Sequence, residues 1–354
     1  MNLADIGYTV FLEKSEFQSL PEGLQTGRVA AEHKERYIVL TSEGEYEAEI
    51  TGNMRFSAES RMDFPAVGDW VLLTAYANDF AVIHKILPRY SILERKAAGN
   101  SSEAQIIATN VDYAFLIQSV DRDFNVNRIE RYLTLCYSSG ISPVVVLTKI
   151  DLIDAATLAS IKCSVEKRII NVPVVTVSNI TKEGLNDLEK LIEKGKTCCL
   201  LGSSGAGKST LINNLAGKDI MRTDVVSEST NKGRHVTTHR ELIVLDKGGV
   251  LIDNPGMREV GITDMSTGLE KTFELIYELS TDCKFKDCTH TNEPGCAVLK
   301  AVGSGQIDKA LYKNFLKLEK EKNYYEMSAL EKRQKDKNFG KMIKNFKKEI
   351  KKKK

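Results

Sequence analysis

Residues Gly202-Ser203-Ser204-Gly205-Ala206-Gly207-Lys208-Ser209-Thr210 restrict what this chain can fold into more than any other segment. Glycines at the first and sixth positions, followed by Lys and Ser, lie between the apolar run KTCCLLG and the helix-like KSTLINNLAG, which is the strand–turn–helix setting of a phosphate-binding P-loop. Glycines let backbone N–H groups curl around a β-phosphate at the positive end of a helix. Lys208 then bridges β- and γ-phosphates, and the Ser209 hydroxyl ligates Mg²⁺. This segment implies a bound nucleoside triphosphate but leaves its base open.

From about residue 106 to 262 the chain alternates apolar strand-like runs (DYAFLIQSV, SPVVVLTKID, VPVVTVSN, ELIVLD, GGVLIDNPG) with helix-length segments (NRIERYLTLCYSSG, AATLASIKCSVEKR, EGLNDLEKLIEKG). Runs that are apolar throughout suit a parallel sheet covered on both faces, so an α/β doubly wound domain is expected. Before it, GRVAAE, RYIVLTS, EYEAEIT, DWVLLTAY and FAVIHKIL are short β-type runs separated by turn residues. Five such strands suggest a small closed barrel, of the oligonucleotide-binding (OB) or the SH3-like kind, or a spacer without a ligand. His33, directly after GRVAAE, and His84, in FAVIHKIL, sit in barrel segments and read as structural.

Base choice is argued from Thr148-Lys149-Ile150-Asp151 at the end of VVVLTKID. An Asp carboxylate can accept paired hydrogen bonds from guanine N1–H and N2–H₂, which adenine cannot supply, while a Lys stem can lie over the ring. Thr148 stands where GTPases usually carry Asn, and its hydroxyl could tie the loop to the phosphate-binding turn. Ser178 and Asn179, followed by Lys182-Glu183-Gly184-Leu185, resemble the loop that supports guanine through backbone N–H groups. Asp253-Asn254-Pro255-Gly256 offers a carboxylate for water-mediated Mg²⁺ binding and the Gly256 N–H for the γ-phosphate. In Lys232–Arg240, Thr237 or Thr238 can supply a hydroxyl to the same ion. The base-reading pair precedes the phosphate loop, the reverse of Ras-like order, so the domain is read as circularly permuted.

Cys283, Cys288, His290 and Cys296 come next in a C-x4-C-x-H-x5-C pattern. Three thiolates and an imidazole make a full tetrahedral set, expected to hold one structural Zn²⁺, against free thiols or a redox pair. The other four cysteines, Cys136, Cys163, Cys198 and Cys199, lie in apolar segments and are expected to be buried as small hydrophobes.

These pieces in this order resemble the RsgA (YjeQ) small-ribosomal-subunit biogenesis GTPases. The resemblance rests on Gly68-Asp69-Trp70-Val71, TKID, GSSGAGKST, DNPG, the Gly-Arg-His-x-Thr-Thr segment and the cysteine cluster, and it covers nearly the whole chain. It implies an α/β protein with an N-terminal OB-like β-barrel with its N-terminal extension (1–95), a circularly permuted P-loop GTPase domain (96–262), a C-terminal zinc-binding domain (263–330) and a basic helical tail (331–354). The implied function is a GTP/GDP- and Mg²⁺-binding enzyme that hydrolyses GTP, stimulated by the small ribosomal subunit, in late maturation of that subunit. It binds rRNA and is released on hydrolysis. Val236 stands where Thr is usual, which makes Thr238 the preferred Mg²⁺ ligand beside Ser209 and Asp253. Met257 comes directly after DNPG in place of a water-orienting Gln, so His235 becomes the candidate catalytic group. GTP is expected to order residues 231–240 and 253–260. The rival readings are a P-loop ATPase or kinase with a zinc ribbon, and a non-catalytic RNA-binding module.

Composition agrees. A chain of 354 residues with 42% hydrophobic and 28% charged residues excludes collagen-like and disordered classes. No eighteen-residue apolar run and no export signal are seen, so a cytosolic protein without a membrane partner is expected, and a monomer is expected alongside the ribosomal partner. Residues 331–354 carry twelve Lys or Arg against three Asp or Glu, so the overall +2 leaves residues 1–330 at −7. That tail reads as a solvated charge run or an arm for phosphate backbones or an acidic surface.

Overall fold

A computed structural model describes residues 1–17, 19–33, 36–77, 79–96, 104–221, 241–253, 266–327, 331 and 334. They fall into two compact units, 1–263 and 264–354. His235, Thr237, Thr238, Gly256, Met257 and nearly all of the basic tail lie outside the described residues.

The first unit begins with the helix Tyr8–Lys14 and five barrel strands: β1 (Gln25–His33), β2 (Arg36–Thr41), β3 (Glu45–Ile50), β4 (Trp70–Tyr76) and β5 (Phe80–Ile86). They pair in the order β1-β2-β3-β5-β4, and β4 returns to β1. β3 and β5 run parallel, whereas the other pairs are antiparallel. That connectivity is the OB Greek key and decides against an SH3-like barrel. Val29, Tyr37, Val39, Ala48, Ile50, Val71, Leu73, Ala81 and Ile83 fill the interior. Gly27 is obligatory here, since a Cβ would lie 2.4 Å from Val39 Cγ1.

A hairpin, β6 (Ile92–Lys96) with β7 (Ala104–Thr109), leads into the α/β part. Its strands are β8 (Tyr113–Ser119), β9 (Ser142–Thr148), β10 (Val174–Val177), β11 (Thr197–Gly202), β12 (Glu241–Val244) and β13 (Val250–Asp253). They are ordered β10-β9-β8-β11-β13-β12, all parallel except β12. The P-loop strand β11 therefore sits centrally, with the strands of the base motifs on one flank and Asp253 on the other. Crevices at the carboxyl ends of such strands are where α/β sheets bind ligands. Helices Val126–Ser138, Ala155–Arg168 and Lys208–Ala216 match the sequence expectation, whereas EGLNDLEKLIEKG is helical only over Leu185–Glu189 and continues as tight turns to Gly195 at φ 75°.

Barrel and α/β strands form one eleven-stranded sheet, because β1 pairs with β12 at Ala31 and Glu241. A bulge between Val29 and Ala31 bends β1 toward this junction. Beneath it Arg28 is 1% exposed and donates to Gly68 O, Ile6 O, Asn110 O and Thr197 Oγ1, with its guanidinium over the Trp70 ring. Gly68, at φ 97°, leaves 2.2 Å between a notional Cβ and Thr109 O, and Asp69 takes two bonds from Arg89. The Gly68-Asp69-Trp70 segment is thus the joint between the barrel and the α/β strands.

The second unit has helices Ser266–Thr272, Glu274–Ser280, Ala297–Ser304 and Lys309–Glu326. Its core is small: Leu269, Phe273, Ile276, Val298, Ala301, Ile307, Phe315 and Leu318 are buried, with Phe273 and Phe315 edge-to-face at 5.4 Å.

Candidate functional site

The phosphate cradle starts at β11, whose six residues are all buried. Gly202 packs on β8 so closely that a Cβ would stand 2.4 Å from Ile117 O. Gly205 and Gly207 have φ of 78° and 89°, and Gly207 opens the helix Lys208–Ala216 without a side-chain cap, leaving first-turn amides to face an anion. Lys208 Nζ donates to Gly202 O (2.9 Å) and Ser203 O (2.8 Å). Burial pushes its ammonium down to about 8, and the charge of Asp253 works against that. Asp253, 2% exposed at the end of β13, and the half-buried Ser209 are hard oxygen donors on this side of the sheet, a donor type that fits Mg²⁺. Ser204 and Ala206 complete the turn, with Ala206 buried, and Thr210 lies in the first turn of the helix.

The base-side loops are hydrogen-bonded to this cradle. Thr148, fully buried, donates from Oγ1 to Ala206 O at 2.7 Å, the tie that its hydroxyl allowed. Asn179 Nδ2 donates to Gly207 O at 3.0 Å, and Asn214, on the helix after the P-loop, donates to Asn179. Lys182 in turn donates to Asn214. Asp151, in the 3-10 turn Ile150–Leu152 beside buried Ile150, accepts from Ser178 Oγ at 2.6 Å. Ser178 Oγ also accepts from Ile180 N and Thr181 N, so the loop after β10 is folded around it. Gly184 can turn there because nothing larger fits: a Cβ would be 1.9 Å from Thr176 O. Thr148, Asp151, Ser178, Asn179 and the cradle are therefore brought together.

The strand-by-strand reading missed the loop after β8. Lys149 Nζ donates to Asp121 at 2.8 Å, and Arg128 Nη1 bridges Asp123 and Ser203 Oγ, both at 2.8 Å. Burial raises the Asp121 carboxyl, but donors from Lys149, Asp123 N and Ser119 outweigh it and hold it below the usual carboxylate range. The available signal was the polar run QSVDRD ending an apolar strand on the ligand side of the sheet.

In the second unit, the ligand atoms of Cys283, Cys288, His290 and Cys296 all lie within 4.8 Å of one another. Cys283 Sγ and Cys296 Sγ are 3.8 Å apart, and each lies 3.6 or 3.5 Å from His290 Nδ1. A tetrahedral Zn²⁺ with ordinary bond lengths requires edges of about 3.8 Å between sulfurs and about 3.6 Å from sulfur to nitrogen. The donor set fits that ion. His290, at φ 58°, is fixed by Tyr312 OH donating to its carbonyl at 2.5 Å, and Cys296 Sγ caps the next helix by accepting from Leu299 N. Cys136, Cys198 and Cys199 are buried as expected, but Cys163 is exposed: its helix, Ala155–Arg168, buries only Val165.

The model of the RsgA GTPase family matches residues 86–263. Small ribosomal subunit biogenesis GTPase RsgA 2 of Lactiplantibacillus plantarum is 43% identical over 93% of this chain and 92% of that protein. RsgA 1 of Bacteroides thetaiotaomicron, a protein of the same description, is 39% identical over 98% and 97%. Among solved structures, YjeQ from Thermotoga maritima aligns with a TM-score of 0.62 at 25% identity over 84% of this chain and 98% of that one. YloQ, described as a circularly permuted GTPase, aligns with a TM-score of 0.62 at 27% identity over 88% and 100%. With a family model spanning the base and phosphate loops and relatives this similar nearly end to end, the chain belongs to the RsgA GTPase family.

Proposed function

We propose that this protein binds GTP and GDP, hydrolyses GTP, and acts in late maturation of the small ribosomal subunit, holding rRNA in the GTP state and leaving after hydrolysis. The observation that carries the reading is the direct bonding of Thr148 and Asn179 to the P-loop, which sets a guanine-type carboxylate, Asp151, beside a triphosphate cradle. The relatives' names support the ribosomal role.

Asp151 accepts from guanine N1–H and N2–H₂, Lys149 lies against the ring, and Ser178 steadies the carboxylate. Residues Gly202–Thr210 and the Gly256 N–H hold the phosphates. Ser209, Asp253 and Thr238 hold Mg²⁺, which when bound neutralises charge building on the phosphate oxygens. His235 orients the attacking water. The roles of His235, Thr238 and Gly256 rest on sequence. Cys283, Cys288, His290 and Cys296 hold a structural Zn²⁺, leaving no open position for chemistry there. The protein works as a cytosolic monomer; among the described residues no helix is long and apolar enough to cross a membrane.

Two measurements test this. Asp151→Asn should shift preference from GTP to xanthosine triphosphate, and an unchanged preference would remove the guanine reading. Small subunits should bind tightly with a non-hydrolysable GTP analogue and weakly with GDP; equal affinity would remove the release on hydrolysis.

A further inference from the structure

Neither nucleotide motif contains Asp121, yet it lies where both halves of the site meet. Its carboxylate accepts from Lys149 Nζ at 2.8 Å, from Ser119 Oγ at 2.9 Å and from Asp123 N at 3.0 Å. Both partners of the Lys149–Asp121 pair are 27% exposed, so the pair is only partly open to solvent. The loop that carries Asp121 is itself fastened to the phosphate side. Asp123 grips Arg128 through both carboxylate oxygens, and Arg128 Nη1 donates to Ser203 Oγ in the cradle. Lys149 is therefore fixed at both ends. Its backbone sits at φ 63°, a conformation that a non-glycine residue adopts only when its surroundings impose it, directly after Thr148, whose hydroxyl is bonded to Ala206 O. Its ammonium is tied to the end of β8.

A free lysine carries rotamer entropy that a ligand must remove if it needs the stem in one place. A stem already strung between two anchors removes that loss from the binding step. Its ammonium is also neutralised, so what it presents along its length is four methylenes rather than a mobile cation.

We infer that Asp121 is a positioning residue for guanine recognition: by holding the Lys149 ammonium at the end of β8 it sets the lysine stem as a fixed shelf for the purine ring. The inference rests on the guanine reading of Thr148–Asp151 above and adds to it a residue outside the motif. It concerns the base and not the phosphates, which makes it separable from general damage to the site.

The test compares Asp121→Ala, Lys149→Ala and the double variant with two probes, GDP and inorganic tripolyphosphate. Each single change should weaken GDP about tenfold, the scale of one hydrogen bond to a charged group, and leave tripolyphosphate within about twofold. The double variant should bind GDP no more weakly than Lys149→Ala alone. For Asp121→Ala the KM for GTP should rise with kcat, measured with saturating small subunits, within about twofold of the parent. Asp121→Asn keeps the shape but offers one acceptor where the carboxylate uses both oxygens, one for Lys149 Nζ and one for Ser119 Oγ and Asp123 N, so it should retain part of the GDP loss with tripolyphosphate unchanged; it serves where the alanine variant folds poorly. Additive losses in the double variant, or equal losses for GDP and tripolyphosphate, would overturn the assignment. If Asp151→Asn fails to gain xanthosine nucleotides, the guanine reading itself falls. If it gains them while Asp121→Ala binds GDP normally, only the role of Asp121 is lost.

Discussion

The two units hold their functional residues in opposite ways. In residues 1–263 an eleven-stranded sheet supplies the stability, and the nucleotide loops are polar additions at strand ends, joined by side-chain bonds such as Thr148 to Ala206 and Asn179 to Gly207. Among the described residues of the second unit, three of the four helices have seven or eight residues, the buried set is small, and the Cys283–Cys296 loop has little apolar support. With so few apolar residues buried among the described residues, metal held by the ligand set is expected to contribute to the folding energy of this unit. The expected difference is that a site can be lost in the first unit with the fold intact, whereas in the second the site and the fold fail together.

The strongest way to break this contrast is at the thiolates. Cys288→Ser, or a strong chelator, should remove about 10 kcal/mol or more of metal-linked stability and unfold residues 266–327, with GDP affinity unchanged within about twofold. Circular dichroism, zinc content and a nucleotide titration on one sample would show it; a folded, metal-free second unit would refute it. Next comes Arg28→Met, which takes the guanidinium donor from buried Ile6 O, while Gly68 O and Asn110 O keep bonds from Asn110 Nδ2 and Tyr90 OH. A loss of about 2–3 kcal/mol in denaturant unfolding of the first unit is expected. Thr148→Val preserves shape and leaves Ala206 O without that donor, and should cost about 1–2 kcal/mol, read as weaker binding of GDP and tripolyphosphate alike.

The smallest effect is one of pH. Lys208 is held near 8 in the nucleotide-free protein, so its ammonium is charged below that value and loses its proton above it. Phosphate binding raises its pKa, and affinity for GDP should therefore be flat below pH 7 and fall about tenfold by pH 9, with proton uptake on binding visible by calorimetry in two buffers. A flat profile through pH 9 would show that the lysine keeps its charge.

Much of this was legible in the sequence because the chemistry is local. The P-loop, TKID and the C-x4-C-x-H-x5-C set each lie within a few residues, and their order along the chain announced the permuted sheet. The features that could not be read depend on distant segments meeting. The OB assignment turns on the parallel pairing of β3 with β5 and the return of β4 to β1. Arg28 reads as an ordinary exposed strand residue in GRVAAE until Ile6, Gly68, Asn110 and Thr197 converge on it. Asp121 is one polar residue among several until Lys149 reaches it. Cys163 reads as buried because its segment is mildly apolar, yet its helix touches the core through Val165 alone.

The junction of Ala31 with Glu241 gives the first unit a mechanical property. Tension applied to the barrel runs into β12, from there across its ladder to β13, and so to the backbone that ends at Asp253, through hydrogen-bonded strands at each step. A molecule that grips the barrel is thus connected to the rim of the nucleotide pocket through one bridged residue pair and the β12–β13 ladder.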